Sequence, residues 1–249
     1  MSFYISLSGL KAAQSDLSTI ANNVSNVNST AFKKSKAVFG DIFAAAPMQT
    51  TTQVAGQGVR TLGISQQFTQ GTIETTDKTL DLAITGEGFF KVQMPDGTFQ
   101  YTRDGTFQMD NQGRIVTAQG NPVQPTITIP NNASGLTVNV QGQVSVTLPG
   151  SSTSTIIGQL SLTRFINKAG LQPVGNNQFT ETPSSGAPQD GTASSEGYGT
   201  VTQGSLEQAN VDVVSEMSDL IAAQRAYEMN AKVISAADQM MQSTTALFR

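Results

Sequence analysis

Near the C-terminus Leu206, Val213, Leu220, Tyr227, Ile234, Met241 and Phe248 stand seven residues apart without a break. No other feature of the chain narrows its fold so far. A heptad period held over this length predicts a helix supercoiled against another helix, not one lying on a domain surface. Ala226, Val233, Met240 and Leu247 widen the apolar face toward the C-terminus. Fully helical, residues 206–249 would span about 65 Å at the usual rise per residue, more than a compact domain of this size buries. Glu228 and Lys232 are spaced for an i,i+4 ion pair, which adds only a few tenths of a kcal/mol.

The N-terminus supplies a partner. Phe3, Leu10, Leu17 and Val24 recur every seventh residue, Ala13, Ile20 and Val27 fill the intermediate position, and Ser6 weakens the pattern. Three or four heptads also suit a single amphipathic helix on its own domain, and taken alone they leave both readings open. The longer C-terminal seam favours pairing. The expectation is that Leu10, Leu17, Ile20 and Val24 pack against Leu220, Tyr227, Ile234 and Met241, with Val27, Leu206, Val213 and Phe248 extending the two seams.

The charge on these segments is sparse. Residues 1–32 carry Lys11 and Asp16, and residues 229–249 carry Lys232, Asp238 and Arg249. An isolated two-helix coil exposes most of its surface and normally covers it with charge. Here the faces are Ser, Thr, Asn, Gln and Ala, which suit close contact with further helices. Other copies of the chain are the economical source of those helices, so the sequence points to a self-assembling polymer. Asn22, Asn23, Asn26, Gln224 and Arg225 are the candidate subunit contacts.

Between the helices the character changes. "TFQYTRDGTFQMD" and "LTVNVQGQVSVTL" alternate β-prone residues, with turn signals at Asp96-Gly97, Asp104-Gly105, Gln112-Gly113, Gly120-Asn121, Asn131-Asn132, Gln141-Gly142 and Pro149-Gly150. That spacing is what an antiparallel sandwich or barrel requires. "TPSSGAPQDGTASSEG", Thr182 to Gly197, reads as an exposed loop, and "APMQTTTQVAGQG", Ala46 to Gly58, as a polar connector. The expected fold is α+β: paired terminal helices at 1–30 and 206–249, a connector with extended or hairpin structure at 31–75, and an antiparallel β domain at 76–205.

The chemistry available is narrow. The chain has no Cys, His or Trp among its 249 residues, which removes disulfides, thiol nucleophiles, thiolate metal sites and the commonest general base. A net charge of −4 and a pI near 4.8 argue against nucleic-acid binding. Lys33, Lys34 and Lys36 form one basic cluster, which reads as a solvated turn. The start, "MSFYISLSGLKAAQSDL", lacks the basic and apolar regions of a cleaved secretory leader, and no run of 18 apolar residues predicts a membrane span.

"ITGEGFF" carries Gly-X-Gly, but strand-like "FFKVQM" follows instead of a helix, so it reads as a strand-edge turn rather than a dinucleotide site. Glu87, Asp96, Asp104 and Asp110 could supply a carboxylate pair for glycan cleavage, yet the three Asp residues sit in turn contexts that favour Asp for local hydrogen bonds. "RDGTFQMDNQG" lacks the Asp spacing and the bidentate Glu of a calcium loop. No catalytic residue, metal site or cofactor is expected.

Three stretches carry a resemblance. "SGLKAAQSDLSTIANNVSNVNSTAFKKSKAVFGD" resembles the N-terminal motif of the bacterial flagellar rod and hook family. "LDLAITGEGFFKVQMPDGTFQYTRDGTFQMDNQGRIVTAQGNPVQP" is similar to its central β segment, and "GSLEQANVDVVSEMSDLIAAQRAYEMNAKVISAADQMM" to its C-terminal signature. The order is the family's and the coverage most of the chain. The centre and C-terminus are most similar to the distal-rod branch, while the first 70 residues read closer to the hook branch. The chain has no room for the outer β domain of typical hook members.

The resemblance implies a non-enzymatic subunit, exported unprocessed by the flagellar type III apparatus and stacked helically into a hollow, torque-transmitting shaft. Paired terminal helices would form the inner tube. The implied partners are further copies, other rod and hook subunits, the rings around the rod and the export apparatus.

Overall fold

The computed structural model describes residues 2–43, 56–150 and 153–247. The chain is α+β and divides into two compact units. One joins Met1–Asn26, Lys34–Gln67 and Val211–Arg249; the other joins Val27–Lys33 and Phe68–Asn210. The segment expected as a single connector, 31–75, is therefore shared between them. Residues 44–55 of it lie outside the described residues, and so does Phe248.

In the first unit, helix α1 spans Ser2–Ser25 and α2 spans Val213–Leu247. Helix α1 ends where asparagines take over its last backbone groups: Asn26 N–H donates to the carbonyls of Asn22 and Asn23, and Asn26 Nδ2 donates to Asn22 O. Helix α2 starts at an Asp212 cap, whose Oδ1 accepts the Val214 N–H at 3.1 Å. This start corrects the heptad reading at its first position. Leu206 is not helical. It sits in the strand Ser205–Glu207, paired antiparallel with Ile73–Thr75, and the Asp212 cap fixes the helix start after it.

Strands β1 (Ser35–Phe43) and β2 (Gly56–Gln66) form an antiparallel ribbon with register shifts at Val38/Phe39 and Ile42/Phe43. A two-stranded ribbon is marginal by itself, and α1 supports this one at both ends. Asn23 Oδ1 accepts the Ser35 N–H at 2.9 Å, and Ser8 Oγ accepts the Val59 N–H at 3.2 Å. The second contact needs Gly58, whose φ is +115° and where any Cβ would fall 2.2 Å from Ser8 Oγ.

The second unit is built of antiparallel strands. Its seven-stranded sheet runs Gln172–Gly175, Gln178–Thr180, Phe99–Thr102, Phe89–Gln93, Ser161–Arg164 and Gln189–Thr192, with Val123–Gln124 also paired to Phe89–Gln93. A three-stranded sheet adds Gly135–Val138, Gln143–Thr147 and Ser154–Gln159.

One core gathers Leu82, Ile84, Phe90, Phe107, Ile115, Val144, Leu160 and Leu162. A second stacks Phe89, Tyr101, Phe165 and Phe179 edge to face, with Tyr101 and Phe165 centroids 4.7 Å apart.

Two sequence readings change in this unit. Part of the expected loop Thr182–Gly197 is the edge strand Gln189–Thr192, held by Ser161–Arg164 through the backbone; its side chains are too small and polar to announce a strand. Gly105 serves less as a hairpin turn than as a place of close approach, since a Cβ there would lie 1.6 Å from Leu82 O.

Candidate assembly surface of the terminal helices

The geometry of the helix pair follows from two contacts. Asn23 Nδ2 donates to Glu216 Oε2 at 3.0 Å, and a Cβ on Gly9 would meet the Asn230 side chain at 3.0 Å. As numbers rise along α1 they fall along α2, so the helices are antiparallel. The best-covered residues are Ser6, Ala12, Ala13, Thr19, Ile20 and Asn23 on α1, and Glu216, Ala223 and Ala237 on α2. Glu216, Ala223, Asn230 and Ala237 are themselves seven apart. The closest rows are small and polar, which lets the two backbones approach. Burying Ile20 among them contributes about 1.5–3 kcal/mol.

The predicted seam residues take the following places. Ile20 is buried, while Leu10, Leu17, Val24, Leu220 and Ile234 are half-buried beside the small-residue rows. Val213, Tyr227 and Met241 are exposed, Met241 at 63%. Val27 follows α1 and belongs with the β strands. Among the predicted subunit contacts, Asn22, Gln224 and Arg225 are exposed and Asn26 is half-buried.

Asn23 is the correction. It is 1% exposed and fully engaged within the chain, donating to Ser35 O at 2.8 Å and to Glu216 while accepting from Ser35 N–H. Its neutrality serves to tie α1, α2 and β1 together.

Around Asn23 lies a cavity of about 470 Å³, lined by Asp16, Thr19, Ile20, Asn23, Lys34, Ser35, Lys36, Gln67, Glu216, Asp219, Ala222, Ala223 and Ala226. Lys34 forms an ion pair with Glu216, whose carboxylate is almost wholly withdrawn from solvent. Asp16 has its pKa raised, chiefly by burial and next by the neighbouring Asp219, with Lys36 acting in the opposite direction.

Sequence reasoning missed Gly9, Glu216, Ala223 and Asn230, and read Lys34 only as part of a solvated turn. For Glu216, Ala223 and Asn230 the signal was present as a second run of seven-residue spacing, but these residues carry little apolar weight. Lys33 corrects the solvated-turn reading: its side chain is 0% exposed, with Nζ 2.6 Å from Glu207 Oε1 and 2.9 Å from Thr69 O.

Outside these contacts the unit leaves much apolar surface open. On α2, Val214, Met217, Ile221, Met229, Val233 and Met240 are exposed, Val214 at 75%; on the ribbon, Phe43, Leu62 and Ile64 are. Apolar exposure on this scale marks a surface for association rather than a monomer's finished face.

No group of three or more acidic, His or Cys side chains fit to hold a metal exists among the described residues. The Asp96 and Asp110 carboxylates are occupied by local turn bonds to Thr98 and to Gln112 and Arg114, as Asx turns require.

Three family models match in chain order. Residues 3–33 match the flagella basal body rod protein, residues 83–146 the flagellar hook protein FlgE/F/G D1 domain, and residues 202–247 the flagellar basal body rod FlgEFG protein C-terminal region. The chain is 41% identical to the flagellar basal-body rod protein FlgG of Buchnera aphidicola subsp. Schizaphis graminum, over 99% of each chain. It is likewise 41% identical to the FlgG proteins of Agrobacterium fabrum, over 95% of each, and Caulobacter vibrioides, over 96% of each. With likeness of this extent in all three parts, the chain belongs to the flagellar basal-body rod protein family.

Proposed function

We propose that this chain is a structural, non-catalytic subunit of the distal rod in the bacterial flagellar basal body. It polymerises helically into a hollow shaft that transmits torque and lets later subunits pass. The observation that carries this reading is α2. Its 35 residues extend about 52 Å, yet one narrow stripe packs within the chain and the apolar side chains around it stay open. Their natural cover is the same helix pair in further copies, and a contact repeated in every copy gives a shaft whose strength is the sum of many modest interfaces.

The rod named in its relatives supports the setting, with adjoining rod and hook subunits, surrounding rings and the export apparatus as further partners. The test is complementation. A strain lacking the gene should form basal bodies truncated at the rod and regain full-length rods and swimming when this chain is supplied. Unchanged rods in the deletion strain would overturn the proposal.

A further inference from the structure

Two unmatched features of the first unit fit each other. The cavity beside Asn23 brings together three carboxylates, Asp16, Glu216 and Asp219, and two ammonium groups, Lys34 and Lys36; three minus two leaves one negative charge over. Lys34 is committed to Glu216, so the excess lies with Asp16 and Asp219, which make no hydrogen bond or ion pair among the described residues. The side toward Ala222, Ala223 and Ala226 carries only methyl groups, which leaves room for an incoming side chain.

Arg225 also makes no hydrogen bond or ion pair among the described residues, and it is exposed on the same helix. At 100° per residue it stands roughly a third of a turn from the cavity face, beside exposed Ile221 one turn earlier. Arg225 and the cavity are thus two different patches on one helix.

We propose that Arg225 of one copy docks in the Asp16–Asp219 cavity of the next, with Ile221 covering the alanines beside it. The proposal rests on the shaft reading above and names the contact that builds it. One guanidinium balances the surplus charge, and a planar fork suits a pair of carboxylates better than an ammonium does. Because donor and acceptor are separate patches, the contact is heterologous. It repeats without pairing off into closed dimers, as a helical polymer requires.

The chain has no cysteine, so introduced thiols report cleanly. In shafts assembled from the double variant Asp219→Cys with Arg225→Cys, a short bismaleimide should give a ladder of covalent multimers, and either single variant should give none. Intact shafts without a ladder overturn the contact and leave the shaft reading standing. Absence of the wild-type chain from isolated basal bodies overturns the shaft reading itself. Should the cysteine pair assemble poorly, charge exchange gives an independent readout. Arg225→Asp and Asp219→Arg should each abolish swimming, and the two together should restore at least half of the wild-type swarm diameter. A single reversal that swims normally, or a double variant no better than either single, overturns the proposal.

Discussion

Lys33 Nζ lies 2.6 Å from Glu207 Oε1, and both side chains are closed off from solvent. The pair joins two segments 174 residues apart. Backbone bonds lock the same place: Ala31 N–H to Glu207 O at 2.7 Å and Asn210 N–H to Phe32 O at 3.3 Å. Glu207 Oε1 also accepts the Gly71 N–H, and Arg103 stands 3.6 Å from Oε2. Burial pushes the Lys33 pKa down and Glu207 opposes it, so the ammonium depends on its partner. Removing one partner strands a buried charge. Glu207→Gln or Lys33→Met should therefore destabilise the β unit by about 3–5 kcal/mol, while Lys33→Met with Glu207→Leu, which still leaves Arg103 without its carboxylate, recovers only part of the loss. Urea unfolding followed by tyrosine fluorescence checks this, and equal losses in the single and double variants would contradict it.

The small-residue rows make a prediction that the large apolar rows do not. Gly9→Val places a branched side chain against Asn230, and Ala223→Leu overfills the buried row; each should cost about 1–3 kcal/mol and reduce shaft yield. Ile20→Ala should cost about 2–5 kcal/mol. Yields are read from isolated basal bodies.

Acid should weaken the β unit partly through Asp190. Its partial burial pushes the carboxyl pKa up, but hydrogen bonds from Lys91 Nζ at 2.9 Å and Thr163 Oγ1 at 2.5 Å outweigh that and hold it below the ordinary value. A depressed folded-state pKa means stability that is whole above the unfolded pKa and lost as pH falls through the folded one. The carboxylate is 44% exposed, so screening holds the effect to about 1 kcal/mol or less. Asp96, held down by Thr98, and Asp110, held down by the Arg114 N–H, act in the same direction. Asp190→Asn should thus flatten, without removing, the fall in urea midpoint below about pH 4.

Far-UV circular dichroism distinguishes monomer from shaft. Segments that depend on neighbours for cover fold as they bind. Helix content should accordingly be lower in the soluble chain than in the polymer. Equal helix content in both would contradict folding on incorporation.

The sequence made the α+β class, the antiparallel centre and the family resemblance legible, because each rests on local pattern. Heptad spacing placed helices at both ends. It did not tell which rows face inward, since apolar bulk drew attention to Tyr227 and Met241 while the closest contacts fell to Gly9, Asn23, Glu216 and Ala223. Close packing rewards small size, which carries no hydrophobic signal. Leu206 fits the seven-residue spacing by coincidence, and the Asp212 cap overrules it. Lys33 looked like a surface lysine because its partner lies far along the chain, and Gln189–Thr192 became a strand through a neighbour's backbone rather than its own side chains.

In the proposed shaft the antiparallel α1–α2 pair builds the wall. Helical reconstruction from electron cryomicroscopy of the assembled polymer tests it most directly. The innermost density should be a continuous layer of paired helices, with Asn23 facing Glu216 within each copy and Arg225 reaching the neighbouring copy. An innermost layer built of β strands, or helices that pair only between copies and not within one, would contradict it.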